Sequence, residues 1–260
     1  MDLIKEEIIQ QLLQGIPTDK PSKFKDLKKY IGTTHDFVGL SVPQQRAIFK
    51  KGFSFNKLPI EQQIKIWDEQ WKTSKHYEIM NFALMFVSKH SKALSAFEPT
   101  ALWSTVKDWV KQVDNWAHSD SLSAIYARLL EVEPDVVYNQ YNIWNISLNP
   151  WERRQSVVGM LYYSQTRKFQ PSFEKLLAMT GALIHDKDYF VQKGIGWTLR
   201  EMGNVYPAET LAFLNEQIAF IHPVAFTAAI EKLDLATKDR LKQLRKTNKK
   251  AMMRTSPYVS

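Results

Sequence analysis

Three short stretches of the chain combine residue types that can do chemistry. In Val113-Asp-Asn-Trp-Ala-His-Ser-Asp120, Trp116 and Asp120 are four residues apart. On a helix that spacing puts an indole and a carboxylate on one face. Asn149-Pro-Trp-Glu-Arg-Arg154 carries Arg154. In Tyr189-Phe-Val-Gln-Lys-Gly-Ile-Gly-Trp-Thr-Leu-Arg200, the residues Lys193, Trp197 and Arg200 fall at i, i+4 and i+7, again one face. A carboxylate beside aromatic faces favours positive charge, and a row of Lys and Arg suits phosphate. Each residue also has a purely structural reading. A helical Trp packs, an Asp near a helix start caps it or meets its dipole, and a lone Arg or Lys is solvated or paired. Gly194 and Gly196 each cost roughly 1 kcal/mol in a helix against alanine. They imply close approach by a neighbouring helix or by a ligand. The concurrence of the three stretches is what singles them out.

The elements that must position these residues are helices. Apolar residues recur at helical spacing, as in Ile4, Ile8 and Leu12 or Ile79, Phe82, Ala83 and Phe86, and strand alternation is almost absent. Prolines stand just inside expected helix starts, as at Pro43, Pro150 and Pro171. The starts have a period. Pro134, Pro171 and Pro207 are separated by 37 and 36 residues. Second starts are expected at Pro150, at Lys187 behind a cap at Asp186, and at Pro223, again separated by 37 and 36. Similar second helices are expected to begin near Ser74 and Asn115. A helix pair repeated about every 40 residues predicts an all-α fold, an α-solenoid of HEAT-like pairs. One pair cannot bury its own apolar face, so stacking supplies the core. The second helices would build one concave face, and the three stretches above all lie on second helices. One domain is expected over 1–236, followed by a basic helix or tail over 237–260.

Composition narrows the function classes. The 260 residues include 35 Lys+Arg against 27 Asp+Glu, a net charge of +8, and no cysteine. Disulfides, thiol nucleophiles, iron–sulfur clusters and Cys-type zinc sites are thereby excluded. The six histidines are scattered away from ligand spacing, so no metal or other cofactor is expected. The stretch MDLIKEEIIQQLLQ has acids within its apolar part and does not read as a signal peptide, and no segment approaches the ~20 apolar residues of a membrane span. A cytoplasmic protein is expected, nucleoid-associated if bacterial. Eight basic residues and one acid lie between Thr237 and Ser260, so the tail is +7 and the remainder only +1. The tail reads equally as a nucleic-acid arm or as a solvated last helix.

At these residues the sequence resembles the AlkD-type DNA glycosylases of the DNA alkylation repair family, which are HEAT-like solenoids. The resemblance is carried by Trp116-(x)3-Asp120, by Trp151-x-x-Arg154 and most specifically by Phe190-Val-Gln-Lys-Gly-Ile-Gly-Trp-Thr-Leu-Arg-Glu201. The block from Tyr30 to Pro43 fits the family's N-terminal region. The resemblance spans about residue 25 to about 230.

It implies a monofunctional glycosylase that hydrolyses the N-glycosidic bond of N3- or N7-alkylated purines in duplex DNA without flipping the base. It implies that Trp116 and Trp197 wall an aromatic cleft around the deoxyribose, with Asp120 as the catalytic carboxylate between them. Arg154 and Arg200 would contact phosphates near the lesion, Lys193 would share the DNA-binding face, and Tyr30 would lie near the lesion. The chain departs from the family at Ala117 and His118, where a bulkier neighbourhood is expected, and at Tyr162, where a lysine is expected. Tyr163 beside it could pack or stack. A monomer is expected. The alternatives are a non-catalytic HEAT-repeat protein that binds branched or bent DNA, and a HEAT scaffold that binds proteins.

Overall fold

The computed structural model describes residues 2–16, 24–97 and 99–255. These residues form fourteen α-helices and three short 3-10 turns. Among them there is no strand; one isolated bridge joins Asp36 and His76. The expectation of an all-α chain holds. The chain divides into two compact units, Met1–Glu133 and Pro134–Ser260.

The first unit contains α1 (Asp2–Gln14), α2 (Phe24–Ile31), α3 (Val42–Lys51), α4 (Ile60–Thr73), α5 (Tyr77–Phe97), α6 (Pro99–Val106) and α7 (Trp116–Val132). The apolar repeats become its core: Ile8, Leu12, Ile79, Phe82 and Ala83 are all fully buried. Between α3 and α4 the chain adds Phe53 and Phe55, whose rings lie 5.5 and 5.3 Å from that of Trp67. Aromatic edges and faces interlock there at the separations such pairs prefer. Trp71 stacks on Trp109 at 4.8 Å and donates its indole N–H to the Trp109 carbonyl. Glu78, in the first turn of α5, is wholly buried and accepts the backbone N–H groups of Val38, Gly39 and Leu40. This carboxylate fixes the course of the loop that links α2 to α3.

The second unit contains three successive helix pairs and a last helix. The pairs are α8 (Pro134–Asn145) with α9 (Pro150–Val158), α10 (Phe173–Ala182) with α11 (Tyr189–Val205), and α12 (Pro207–Glu216) with α13 (Pro223–Ala229). The second helices pack side by side, α11 lying against both α9 and α13. Pro134, Pro150, Pro207 and Pro223 open helices as expected. Two starts need correction. Near Pro171 the helix begins at Phe173, capped by the Ser172 hydroxyl. Helix α11 begins at Tyr189 and not at Lys187, because Asp188 is the residue whose carboxylate accepts the N–H groups of Phe190 and Val191. Asp186 instead accepts the Asp188 N–H and pairs with Arg153 at 2.6 Å.

The last helix, α14 (Leu235–Thr255), docks through two residues one turn apart. Leu241 is fully buried. The Arg245 guanidinium donates to the carbonyls of Ile218 and Ile221 and lies 4.7 Å over the Phe226 ring. Arg240, Lys242 and Lys246 remain on the exposed side. The side chains of Lys249, Lys250 and Arg254 fall outside the described residues. No helix of the described residues is long and apolar enough to cross a membrane.

Candidate functional site

In the first unit the site is built at the start of α7. Asn115 caps the helix by accepting the His118 N–H at 2.9 Å. Trp116 is thus the first helical residue, and Asp120 follows one turn later on the same face. Both side chains are half-buried, while Leu122, Ile125, Tyr126 and Leu129 take the opposite face into the core. Tyr30, in the last turn of α2, is 70% exposed. Its carbonyl accepts the Trp116 indole N–H at 3.1 Å, and its ring meets the indole edge-on at 5.4 Å and 80°. Three of the predicted site residues, Tyr30, Trp116 and Asp120, are therefore brought to the start of one helix.

Asp114, not expected from the sequence to matter, ties these parts together. Its carboxylate accepts the Thr33 hydroxyl at 2.9 Å, the Thr34 N–H at 2.6 Å and the Thr34 hydroxyl at 2.8 Å. It also accepts the Asn115 amide at 2.8 Å. The segment that follows Tyr30 is so pinned to the residue that caps Trp116. Burial raises the Asp114 carboxyl, but the Asn115, Thr34 and His35 contacts outweigh it and hold the group below the usual carboxylate range. Its position immediately before a capping Asn was the only sequence signal for it.

His118 sits on the inner side of the same turn, wholly buried and stacked on Tyr77 at 4.5 Å. Burial, reinforced by the neighbouring His35, pushes its pKa down to about 3. It is neutral at pH 7. The Asn115 amide lies 3.0 Å from Nδ1 and the Tyr77 carbonyl 3.3 Å from Nε2. A carbonyl can only accept, so the proton belongs on Nε2 and Nδ1 accepts from Asn115. The fold thus brings together His35, Asp114 and His118, whose donor atoms lie within 4.8 Å of one another. Sequence spacing gave no hint of this group. Both His118 nitrogens and the Asp114 oxygens are engaged in the bonds just described, which makes the cluster a clamp and a poor cation cage.

In the second unit the site centres on α11. Arg154 is 6% exposed and donates from Nη1 to the Phe190 carbonyl at 2.7 Å, bracing the first turn of α11 from α9. Trp151 lies against Phe190 at 4.9 Å. Lys193 is exposed, its ammonium 5.9 Å from the centre of the Tyr189 ring. Trp197 stacks on Tyr162 at 5.1 Å and 27°, and meets the edge of Tyr163 at 5.8 Å and 86°. The Arg200 guanidinium lies 5.6 Å over the Trp197 ring, pairs with Glu231, and is 3.7 Å from Glu201. Lys193, Trp197 and Arg200 do share one face. A cleft of about 490 Å³ runs beside it between α11 and α13, lined by Tyr189, Lys193, Thr227, Ala228 and Glu231.

Gly194 and Gly196 answer to neighbouring helices. A Cβ on Gly194 would stand 3.0 Å from Val158 and 3.2 Å from Arg154. On Gly196 it would stand 2.7 Å from the Ala225 Cα and closer still to the Ala225 carbonyl oxygen, so α13 crosses α11 backbone against backbone. The close approach expected from the sequence is packing on both sides.

The surface of the second unit carries Lys193 and Arg200, whose cationic heads can meet an anion, beside a Trp197 ring that is flanked by Tyr162, Tyr163 and Arg200. The first unit offers a carboxylate one turn from an indole. The model of the DNA alkylation repair enzyme family matches residues 9–233. A solved structure described as a predicted DNA alkylation repair enzyme from Enterococcus faecalis superposes with a TM-score of 0.66 at 16% identity. That match covers 84% of this chain and 97% of the other, and it establishes the helical-repeat fold. No curated protein matches the chain. With the family model extending from within α1 through α13, most of its length, the chain belongs to the DNA alkylation repair enzyme family.

Proposed function

We propose that the chain is a monofunctional DNA glycosylase of the AlkD type, hydrolysing the N-glycosidic bond of cationic N3- and N7-alkylated purines in duplex DNA. The single observation that carries this reading is the pairing of Trp116 and Asp120 on one exposed-edged turn of α7 in a chain of this family. Alkylation at N3 or N7 makes the purine a cationic leaving group, so no general acid is needed. As the bond breaks, the sugar gains oxocarbenium character. A fixed carboxylate, Asp120, stabilises that charge and positions the attacking water. Trp116 and Trp197 are the proposed aromatic residues, each a ring whose face presents a negative quadrupole to positive charge.

Lys193, Arg200, Tyr30 and Arg154 are the proposed DNA-binding residues. Lys193 and Tyr30 are already exposed, Arg200 exchanges Glu231 for a phosphate, and Arg154 acts from beneath the first turn of α11. Phosphate contacts position the duplex and carry little sequence information. The damaged base stays in the stack while its deoxyribose is engaged, the reaction belongs to base excision repair, and the protein works as a monomer.

The test is base release from duplexes that carry 7-methylguanine or a neutral alkylated base such as O6-methylguanine. Release of the first and not the second supports the reading. No release of either, with DNA binding intact, moves the protein to the non-catalytic DNA-binding alternative.

A further inference from the structure

Tyr163 has a backbone that tyrosines rarely adopt, with φ at 50° and ψ at 67° in the left-handed region. Lys75 is the other non-glycine residue with positive φ among the described residues. For a bulky side chain this conformation is strained and persists only where the surroundings impose it. Here they do. Ser164 is fully buried, and both its N–H and its hydroxyl donate to one oxygen of Glu201, at 2.9 and 2.8 Å. Glu201 is itself 2% exposed and also accepts from Asn204. On the other side the Tyr163 carbonyl accepts the N–H and the hydroxyl of Thr166, each at 2.8 Å.

Burial does not offset the strain, because Tyr163 remains 55% exposed. A turn that merely joined α9 to α10 would do better with Gly or Asn at this position. What the conformation achieves is placement. Tyr162 lies flat on Trp197, and the Tyr163 ring stands perpendicular to both, 4.7 Å from Tyr162 and 5.8 Å from Trp197. The three rings make an aromatic corner with one outward wall.

We infer that Tyr163 is a further substrate-contacting residue, whose exposed ring walls this corner against the damaged nucleotide at the edge of Trp197. Tyr162 is a positioning residue that fixes the plane of the Trp197 ring, and Glu201 is the buried anchor of the turn. The inference rests on the proposed role of Trp197 at the lesion. An aromatic wall recognises the sugar and the cationic purine through their apolar faces and positive charge, so it sets the fit of the lesion and adds little to the binding of undamaged DNA.

The experiment uses Tyr163→Gly and Tyr163→Asn in the full chain, since both residues accept the left-handed conformation. Three readings are taken: thermal midpoint, affinity for undamaged duplex, and single-turnover release of 7-methylguanine. The expected result is an unchanged or higher midpoint, undamaged-duplex affinity within about two-fold of wild type, and release slowed about ten-fold, the size of one aromatic contact with a nucleotide. Wild-type release by both variants overturns the inference and leaves the glycosylase reading standing. A lowered midpoint with a matching loss of affinity for undamaged duplex also overturns it, and marks Tyr163 as a packing residue. An absence of release by the wild-type protein defeats the glycosylase reading, and the inference with it.

Discussion

His118 and Asp114 flank the cap of α7 and make the start of that helix sensitive to acid. His118 has its folded pKa depressed to about 3, mainly by burial, against about 6.5 in an unfolded chain. Between those values the unfolded state binds the proton and the native state does not. The contribution of neutral His118 is therefore fully present above pH ~6.5 and is lost as pH falls toward 3. Asp114 acts in the same direction at lower pH, since its carboxyl is held down in the fold. Below pH 6.5 His118 by itself is expected to contribute a slope approaching about 1.4 kcal/mol per unit to the fall in unfolding free energy. Urea midpoints at pH 7 and pH 5 check this. In His118→Phe the pH 7 stability is expected to drop by about 1–3 kcal/mol, because the Asn115 amide and the Tyr77 carbonyl lose their partner. The variant should also show a smaller difference between the two pH values, with His76 and His90, whose pKa values burial also lowers, supplying part of what remains. An undiminished difference would show that His118 does not contribute to it. None of this was legible in the sequence, where His35, Asp114 and His118 are merely three polar residues; a loop from one part of the unit and a helix cap from another had to meet first.

At the scale of elements, the second unit depends on how closely its second helices approach. Gly196 permits the backbone contact between α11 and α13. A Cβ there meets the Ala225 backbone, which cannot rotate aside, so Gly196→Ala is expected to cost at least about 3 kcal/mol by overpacking. Gly181, in α10, has nothing within 4 Å of where a Cβ would stand. Gly181→Ala is expected to stabilise by about 0.4–1 kcal/mol through the unfolded chain. Thermal melts of the two variants decide it; equal effects would contradict the packing argument. The helices themselves were largely legible. Proline at the first helical position and period-3.6 apolar residues located Pro134, Pro150, Pro207 and Pro223, and placed Trp116 and Asp120 on one turn. Caps were less legible. Asp186 and Asp188 are equally good by type, and only the Arg153 contact to Asp186 explains which one caps. The Tyr162–Tyr163 turn was harder still. Its conformation is imposed by Glu201, 37 residues downstream of Ser164, and no local pattern records such a contact.

For the molecule as a whole, +7 of the net charge of +8 lies in residues 237–260. α14 is a docked helix that holds Arg240, Lys242 and Lys246 outward on a buried Leu241 and Arg245. Duplex binding is expected to weaken linearly in log–log terms with added salt, by about 0.9 per phosphate contact. Lys193→Gln should lower that slope by roughly one contact without creating sequence preference; a salt titration of duplex affinity measures it, and an unchanged slope would take Lys193 off the DNA-binding face. Family membership and fold follow from features spread along the chain, which is why the sequence displayed them. The proposed chemistry rests on one carboxylate, Asp120. The most direct test is single-turnover release of 7-methylguanine from duplex DNA by wild type and by Asp120→Asn. Wild type is expected to release the base and the variant to lose about 10²-fold or more, the scale of removing one preorganised electrostatic group, with duplex affinity retained. Release by Asp120→Asn at the wild-type rate would contradict the proposed chemistry.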